Sequence, residues 1–311
     1  MKIVLVGDLM LGRGVAGVSR APEAFWGDTL PLLRSADAVI GNLECALTSS
    51  EIPWTRTPKV FHFKARPEEV EILRAGNVRC VSLANNHALD WETQGLVDTL
   101  RILDEAGIHH AGAGLNFEEA SKPACFCAGG ERLAFFALTD NEPPFAAGKS
   151  PGVHYAPIGL DAFASLPFFE VEADRRILSL HWGPNMVLTP PPAFQAFAHG
   201  AVERGVDLVH GHSAHLFQGI EPYRKGLILY DTGDFLDDYA VDPVLRNDWS
   251  FLFLWEPPEL TLVPVVLSFA RVDLARGEEK AAIAARMKRL SAGWATFREV
   301  PEGLRLERRV G

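Results

Sequence analysis

Only four of the 311 residues are cysteine, at 45, 80, 125 and 127, and no two form a CxxC pair. That spacing excludes a dense disulfide framework and a four-thiolate metal knuckle, and the four are expected to be small buried hydrophobes in a reducing compartment. Also missing is any run near the roughly 18 to 20 apolar residues of a membrane span. The apolar start meets Asp8 too early for a signal-peptide core, so a cytoplasmic protein is expected. Basic residues are in deficit, with 30 Lys and Arg against 40 Asp and Glu for a net charge of −10. General nucleic-acid binding wants the opposite sign. An anionic substrate would still be accommodated if metal ions supplied local positive charge. What is present, 48% apolar and 23% charged residues, matches an ordinary soluble globular protein.

Short apolar runs repeatedly end in polar side chains. Residues 2–6 read as a β-strand ending at Gly7 and Asp8, and 38–41 as a second followed by Asn42 and Glu44. The run 78–84 breaks abruptly into Asn85, Asn86 and His87, and 177–180 runs into His181 and Trp182. Residues 206–209 lead into a stretch, 210–215, that holds three of the chain's ten histidines, and 227–230 leads into Asp231 and an acidic segment to Asp238. Those acids read equally as supports behind the histidines or as an acidic surface turn. Helices are expected over 67–76, where Pro67 and two glutamates open the first turn, over 93–106 with Gly107 behind it, and over 194–203. Residues 48–64, with two prolines, form a long irregular loop, and His109 and His110 are read as loop residues. A hairpin over 251–255 and 260–267 is expected near a sheet edge, and an amphipathic helix over 278–290 covers the end.

β–loop–α alternation of this kind builds parallel or mixed sheets, whose sites lie outside the carboxyl ends of the strands. There Asp8, Glu44, Asn86, His181, His212 and His215 would meet although they are far apart in sequence. Carboxylate, amide and imidazole together suit Mn²⁺, Fe²⁺ or Zn²⁺ better than Ca²⁺. Two such ions about 3.5–4 Å apart, sharing one carboxylate, would activate a water and clamp the oxygens of a scissile group. Arg13, Asn42 and Trp182, beside these strand ends, are the expected substrate contacts. Gly12 to Gly17 fits GxGxxG, but five residues separate Val6 from Gly12 and Asp37 precedes a strand where a ribose ligand should end one, so a dinucleotide site is disfavoured.

The motifs GDLMLGRGV, GNLECALT, LANNHALDWETQGLVDTL, HWGPN, VHGHSAHLFQGIE and LILYDTGDFLDDY run in order from Gly7 to Tyr239. In them the chain resembles the CapA family, named for poly-γ-glutamate capsule synthesis, of the calcineurin-like metallophosphatase superfamily. The resemblance implies a four-layer αββα sandwich of mixed sheets over residues 1–270, with 271–311 a helical extension packed on the same domain. It implies a dinuclear centre with Asp8 as the first-motif ligand, Glu44 as the bridging carboxylate, and Asn86, His181, His212 and His215 as further ligands. His87 takes the part of general acid. Met10 stands where the superfamily's Asp-x-His motif has its imidazole, Asn42-Leu43-Glu44 replaces its GDxxD pattern, and one extra residue separates His212 from His215. The implied function is a metal-dependent hydrolase of a phosphoester or γ-glutamyl-type anionic substrate, small or polymeric. The alternative is a non-catalytic metal-binding accessory factor in capsule polymer assembly.

Overall fold

A computed structural model describes residues 1–168 and 170–307. Ile3–Leu9 is the strand the rest is built on, flanked in parallel by Ala38–Leu43 and, on the other side, antiparallel by Trp249–Glu256. Its side chains alternate between two buried layers: Val4 and Val6 point to one cluster, Ile3 and Leu5 to another. A strand buried on both faces must read as a continuous apolar run. That is the pattern of residues 2–6.

Among the described residues the larger sheet has ten strands. Eight run in order from Thr296–Glu299 through Leu304–Glu307, Glu259–Ser268, Trp249–Glu256, Ile3–Leu9, Ala38–Leu43 and Val78–Ser82 to His109–Ala111, while Asp234–Leu236 also pairs with Ile3–Leu9 and Arg271–Leu274 with Glu259–Ser268. The smaller has six, ordered Ile220–Tyr223, Gly226–Leu229, Leu208–His212, Arg175–His181, Glu131–Thr139 and Ala124–Ala128. Leu133, Phe135, Ile177 and Leu208 face Ile3, Leu5, Ile40 and Cys80 across the layer between the sheets. Outside the larger sheet lie Val70–Ala75 and Glu92–Ala106, the latter burying Leu96, Leu100 and Leu103 at helical spacing and ending at the left-handed Gly107 (φ 69°). Outside the smaller sheet, Pro192–Glu203 buries Phe197, Ala198 and Ala201 against Leu178, Leu180 and Val209. The result is helix, sheet, sheet, helix. The expected αββα sandwich of mixed sheets is what forms.

Several local expectations differ. The hairpin of Trp249–Glu256 and Glu259–Ser268 lies inside the large sheet, because Ile3–Leu9 pairs with its first strand and Leu304–Glu307 and Arg271–Leu274 with its second. The C-terminal segment is not only helical. Beside the helix Gly277–Leu290, whose Ile283 and Met287 cap the inter-sheet layer, it supplies the strands Arg271–Leu274, Thr296–Glu299 and Leu304–Glu307. His109 and His110 sit in an edge strand of that sheet instead of a loop. Cys45 and Cys80 are buried as expected, whereas Cys125 and Cys127 alternate onto the exposed face of an edge strand. Among the described residues no helix is long and apolar enough to cross a membrane.

One contact positions the site. Asp8 N–H donates to Gly233 O at 2.9 Å, and a Cβ on Gly7 would lie 1.7 Å from that same oxygen. Glycine at position 7 thus lets residues 232–236 press against the end of Ile3–Leu9, where Asp8 and Asp234 become Cα partners in parallel register.

Candidate metal centre

The parallel strands of both sheets point their carboxyl ends at one buried spot. Asp8 ends Ile3–Leu9, Glu44 follows Ala38–Leu43, His181 ends Arg175–His181 and His212 ends Leu208–His212. In register His181 lies beside His212, so two imidazoles from neighbouring strands meet. Their Nδ1 atoms are 3.0 Å apart, and Nδ1 of His212 is 3.6 Å from Asp8 Oδ1. His181 Nε2 and His87 Nε2 each lie 3.9 Å from Glu44 Oε1. On the far side His215, in left-handed backbone (φ 56°), brings Nδ1 to 3.7 Å from Asp8 Oδ2 and donates to Asp234 Oδ1 at 2.8 Å.

Two sets of ligand-type atoms result, Asp8 with His181 and His212, and Asp8 with Glu44, His215 and Asp234, each set mutually within 4.8 Å. The carboxylate common to both is Asp8, where the resemblance gave the bridging place to Glu44. Glu44 nonetheless faces His181 as well, so both carboxylates look into both sets. Asp8 Oδ2, Glu44 Oε2, Asp234 Oδ2 and Asn86 Oδ1 are all buried with no hydrogen-bond partner. Burial pushes the carboxyls of Asp8, Glu44 and Asp234 well above their usual range, and neighbouring acids add to the rise: Asp234 and Asp231 for Asp8, Asp8 for Glu44, Asp237 for Asp234. Burial lowers His181 and His212 far below the ordinary imidazole range, which keeps them neutral and able to ligate. Orphaned acceptors crowded around neutral imidazoles leave the cluster short of positive charge, and the donor set fits divalent ions of the Mn²⁺, Fe²⁺ and Zn²⁺ kind.

The surrounding side chains hold this arrangement. Asn42 Nδ2 donates to Asp8 Oδ1 at 2.7 Å, and Asn85 Nδ2 donates to Asn42 Oδ1 at 3.0 Å and to Leu43 O at 2.8 Å. Asn85 Oδ1 in turn accepts from His87 N–H, so this one amide ties the loop after Val78–Ser82 to its neighbour. His212 Nε2 rests 2.8 Å from Ser179 Oγ. His87 donates from Nδ1 to Asp90 Oδ2 at 2.6 Å, stacks on Phe63 with centroids 3.8 Å apart, and leaves Nε2 toward the cluster. Burial pushes Asp90 up to about 7, while Lys59 Nζ at 3.3 Å from Oδ1 and the Phe63 N–H on Oδ2 pull it back. Lys59 and Phe63 come from the irregular segment 48–64, which straps this side of the site.

The sequence profile of the family described as "Bacterial capsule synthesis protein PGA_cap" matches residues 2–239. The chain belongs to that family. A PGA_cap-type relative from Mycobacterium tuberculosis, named a probable polyglutamine synthesis accessory protein, is 33% identical over 285 residues, covering 76% of this chain and 74% of its own. The capsule biosynthesis protein CapA of Bacillus anthracis is 28% identical over 250 residues, covering 76% of this chain and 60% of its own. Among solved structures, one titled a novel phosphatase from Mycoplasma pneumoniae superposes with a TM-score of 0.51 at 12% identity, over 88% of this chain and 90% of its own. The two chains share a fold.

The side chains of Asp8, Glu44, His181, His212 and His215 converge as expected, with His87 at their margin. Asn86, next to His87 in the chain, leaves its Oδ1 buried and unpartnered. The expected substrate contacts fare differently. Asn42 is fully buried with both amide atoms engaged by Asp8 and Asn85, so it supports a ligand and has nothing left for a substrate. Trp182 lies in the core under the smaller sheet, stacked on Phe194 and donating Nε1–H to Tyr230 O. Arg13 stays at the rim but pairs with Asp238, Nη2 to Oδ1 at 3.1 Å. Asp231 spends both oxygens on the N–H groups of Ala214 and Gly233, fastening the histidine loop from behind. Sequence reasoning missed Asp234. The available signal was its place, three residues past Asp231 in an acidic run beyond a strand, but only the pairing with Asp8 separates it from its neighbours. Met10 is fully buried among apolar side chains, and Asp234 stands beside Asp8 in its stead.

Proposed function

We propose that this PGA_cap protein is a metal-dependent hydrolase of an anionic phosphoester or γ-glutamyl-type substrate, and that Asp8, Glu44, Asn86, His181, His212, His215 and Asp234 hold two divalent ions. The observation that carries the reading is the set of buried, unpartnered acceptor atoms on Asp8, Glu44 and Asp234 around neutral imidazoles. Bound there, divalent ions supply Lewis-acid charge and bring the ionisation of a water near neutral pH.

The chain's own groups do the rest. Asp90 accepts the Nδ1 proton of His87 and so fixes which nitrogen faces the cluster. Burial, and next the Lys59 charge, lower His87 well below the ordinary imidazole range, so its ring is neutral and Nε2 is an acceptor. Nε2 takes the proton released by the attacking water and returns that same proton to the leaving group. The Phe63 face holds the imidazole ring in plane and keeps bulk water off one side. Asn42 and Ser179 hold Asp8 and His212 in place.

The test is a panel of phosphoesters and γ-glutamyl peptides offered to protein carrying two Mn²⁺ per chain by elemental analysis. Turnover of one class is expected, and His87→Ala should lower kcat about 100-fold at unchanged metal content. No turnover of either class by fully loaded protein refutes the hydrolase and leaves the accessory role that the M. tuberculosis relatives' names describe.

A further inference from the structure

Tyr239 ends the last motif, and its place was not assigned from sequence. The turn that carries it is tightly held: Tyr239 N–H donates to Asp237 Oδ1 at 2.9 Å, and Gly14 N–H and Arg13 Nε donate to Asp238 Oδ2 at 2.8 and 3.3 Å. The Arg13 guanidinium also sits over the Tyr239 ring, 5.6 Å from its centroid, and over those of Phe63 and Phe61 at 5.3 and 5.4 Å. The Tyr239 ring lies edge-on to the His215 imidazole at 5.2 Å and tilted to Phe63 at 6.0 Å, and Phe63 in turn stacks on His87. Aromatic contacts thus run from His87 on one side of the cluster to His215 on the other, with Tyr239 between them.

Its hydroxyl is the anomaly. Tyr239 Oη is buried and has no hydrogen-bond partner in the protein. Buried phenols normally find one, because an unmade hydrogen bond costs the full desolvation of the group. A phenol O–H held by a rigid turn beside the cluster is a donor waiting for an acceptor that the described residues do not supply. Arg13, committed to Asp238, fixes the turn.

We propose that Tyr239 Oη is a substrate-binding donor, placed to hydrogen-bond an oxygen of the tetrahedral oxyanion group that the metal centre takes. The unpartnered Oη, the Arg13–Asp238 clamp and the ring contact with His215 assign it. This inference rests on the reading of the cluster as a divalent-metal site, but it needs no turnover. A hydrogen bond from a neutral donor to a charged acceptor implies about tenfold in affinity.

The experiment is calorimetric titration of inorganic phosphate into the Mn²⁺-loaded full chain and its Tyr239→Phe variant, with metal content and thermal midpoint recorded for both. Removing a hydroxyl without partners leaves the fold intact, so the variant should match wild type in midpoint and in Mn²⁺ per chain. Phosphate binding about tenfold weaker in Tyr239→Phe supports the assignment. Equal phosphate affinity overturns it, as does loss of Mn²⁺ from the variant, which would make Tyr239 part of the metal's own support. Loaded wild type that binds no phosphate also overturns it, whereas the hydrolase reading stands or falls on the substrate panel alone.

Discussion

Asp234→Asn should stabilise this protein without metal and shrink the stabilisation that metal brings. Asparagine keeps an oxygen to accept the His215 Nδ1–H, now at 2.8 Å from Asp234 Oδ1, so the substitution removes charge and little else. Without metal that charge sits in a buried set whose ligand atoms lie within 4.8 Å of one another. Two unit charges at that separation repel by about 3.5 kcal/mol at an effective dielectric of 20. Proton uptake by the raised carboxyls relieves part of it, leaving an expected gain of about 1–3 kcal/mol in metal-free protein at pH 8, or roughly 2–6 °C in midpoint. With Mn²⁺ that gain is offset, because a lost carboxylate ligand weakens binding by about 10- to 100-fold and removes about 1.4–2.8 kcal/mol of ligand-linked stability, so the Mn²⁺-induced rise in midpoint is smaller in the variant than in wild type. Thermal melts of wild type and variant in EDTA and in saturating Mn²⁺ measure both arms. A lower midpoint for the variant in EDTA would refute the repulsion, and equal Mn²⁺ shifts in both proteins would remove Asp234 from the ligand set.

Asn85→Ala should destabilise the protein by about 3 kcal/mol in urea unfolding, since it strands the Leu43 carbonyl, the Asn42 amide oxygen and the His87 N–H in a buried place; a loss below about 1 kcal/mol would show that water replaces the amide. Away from the site, burial lowers His154 to about 4, where it bonds Ala137 O and Ser165 Oγ. Its folded pKa lies below its unfolded one, so its contribution is present above about pH 6.5 and is lost as pH falls toward 4. Between pH 7 and pH 5 wild type should lose about 2 kcal/mol more than His154→Gln in urea unfolding, and parallel losses would disprove it.

The strand ends were legible because burial forces apolar runs, and a polar break after such a run has few structural reasons to exist. Asp8, Glu44 and His181 announced themselves in that way, each as the first ionisable or imidazole group past an apolar run, and His212 as one of three imidazoles past another. Asn42 and Trp182 occupy the same kind of position, yet one is spent on Asp8 and the other on the core. A residue's distance from a strand end in sequence says nothing about which way its side chain turns. The hairpin expected over 251–255 and 260–267 is a hairpin but not an edge, since its partners are Ile3–Leu9, far back at the start of the chain, and Leu304–Glu307, beyond the next helix.

By itself the sequence determined the layered α/β architecture, the family and most of the side chains that converge at the strand ends, because periodicity and motif order are local properties that burial imposes on the chain. Tertiary structure alone decided three things: that Asp234 joins Asp8, that Asn85 is a strut behind Asn86 and His87, and that Tyr239 Oη is left without a partner. Each depends on a close approach between distant segments, as where Gly7 admits the Gly233 carbonyl. Such approaches are set by volume and hydrogen-bond geometry in three dimensions, which no one-dimensional pattern records.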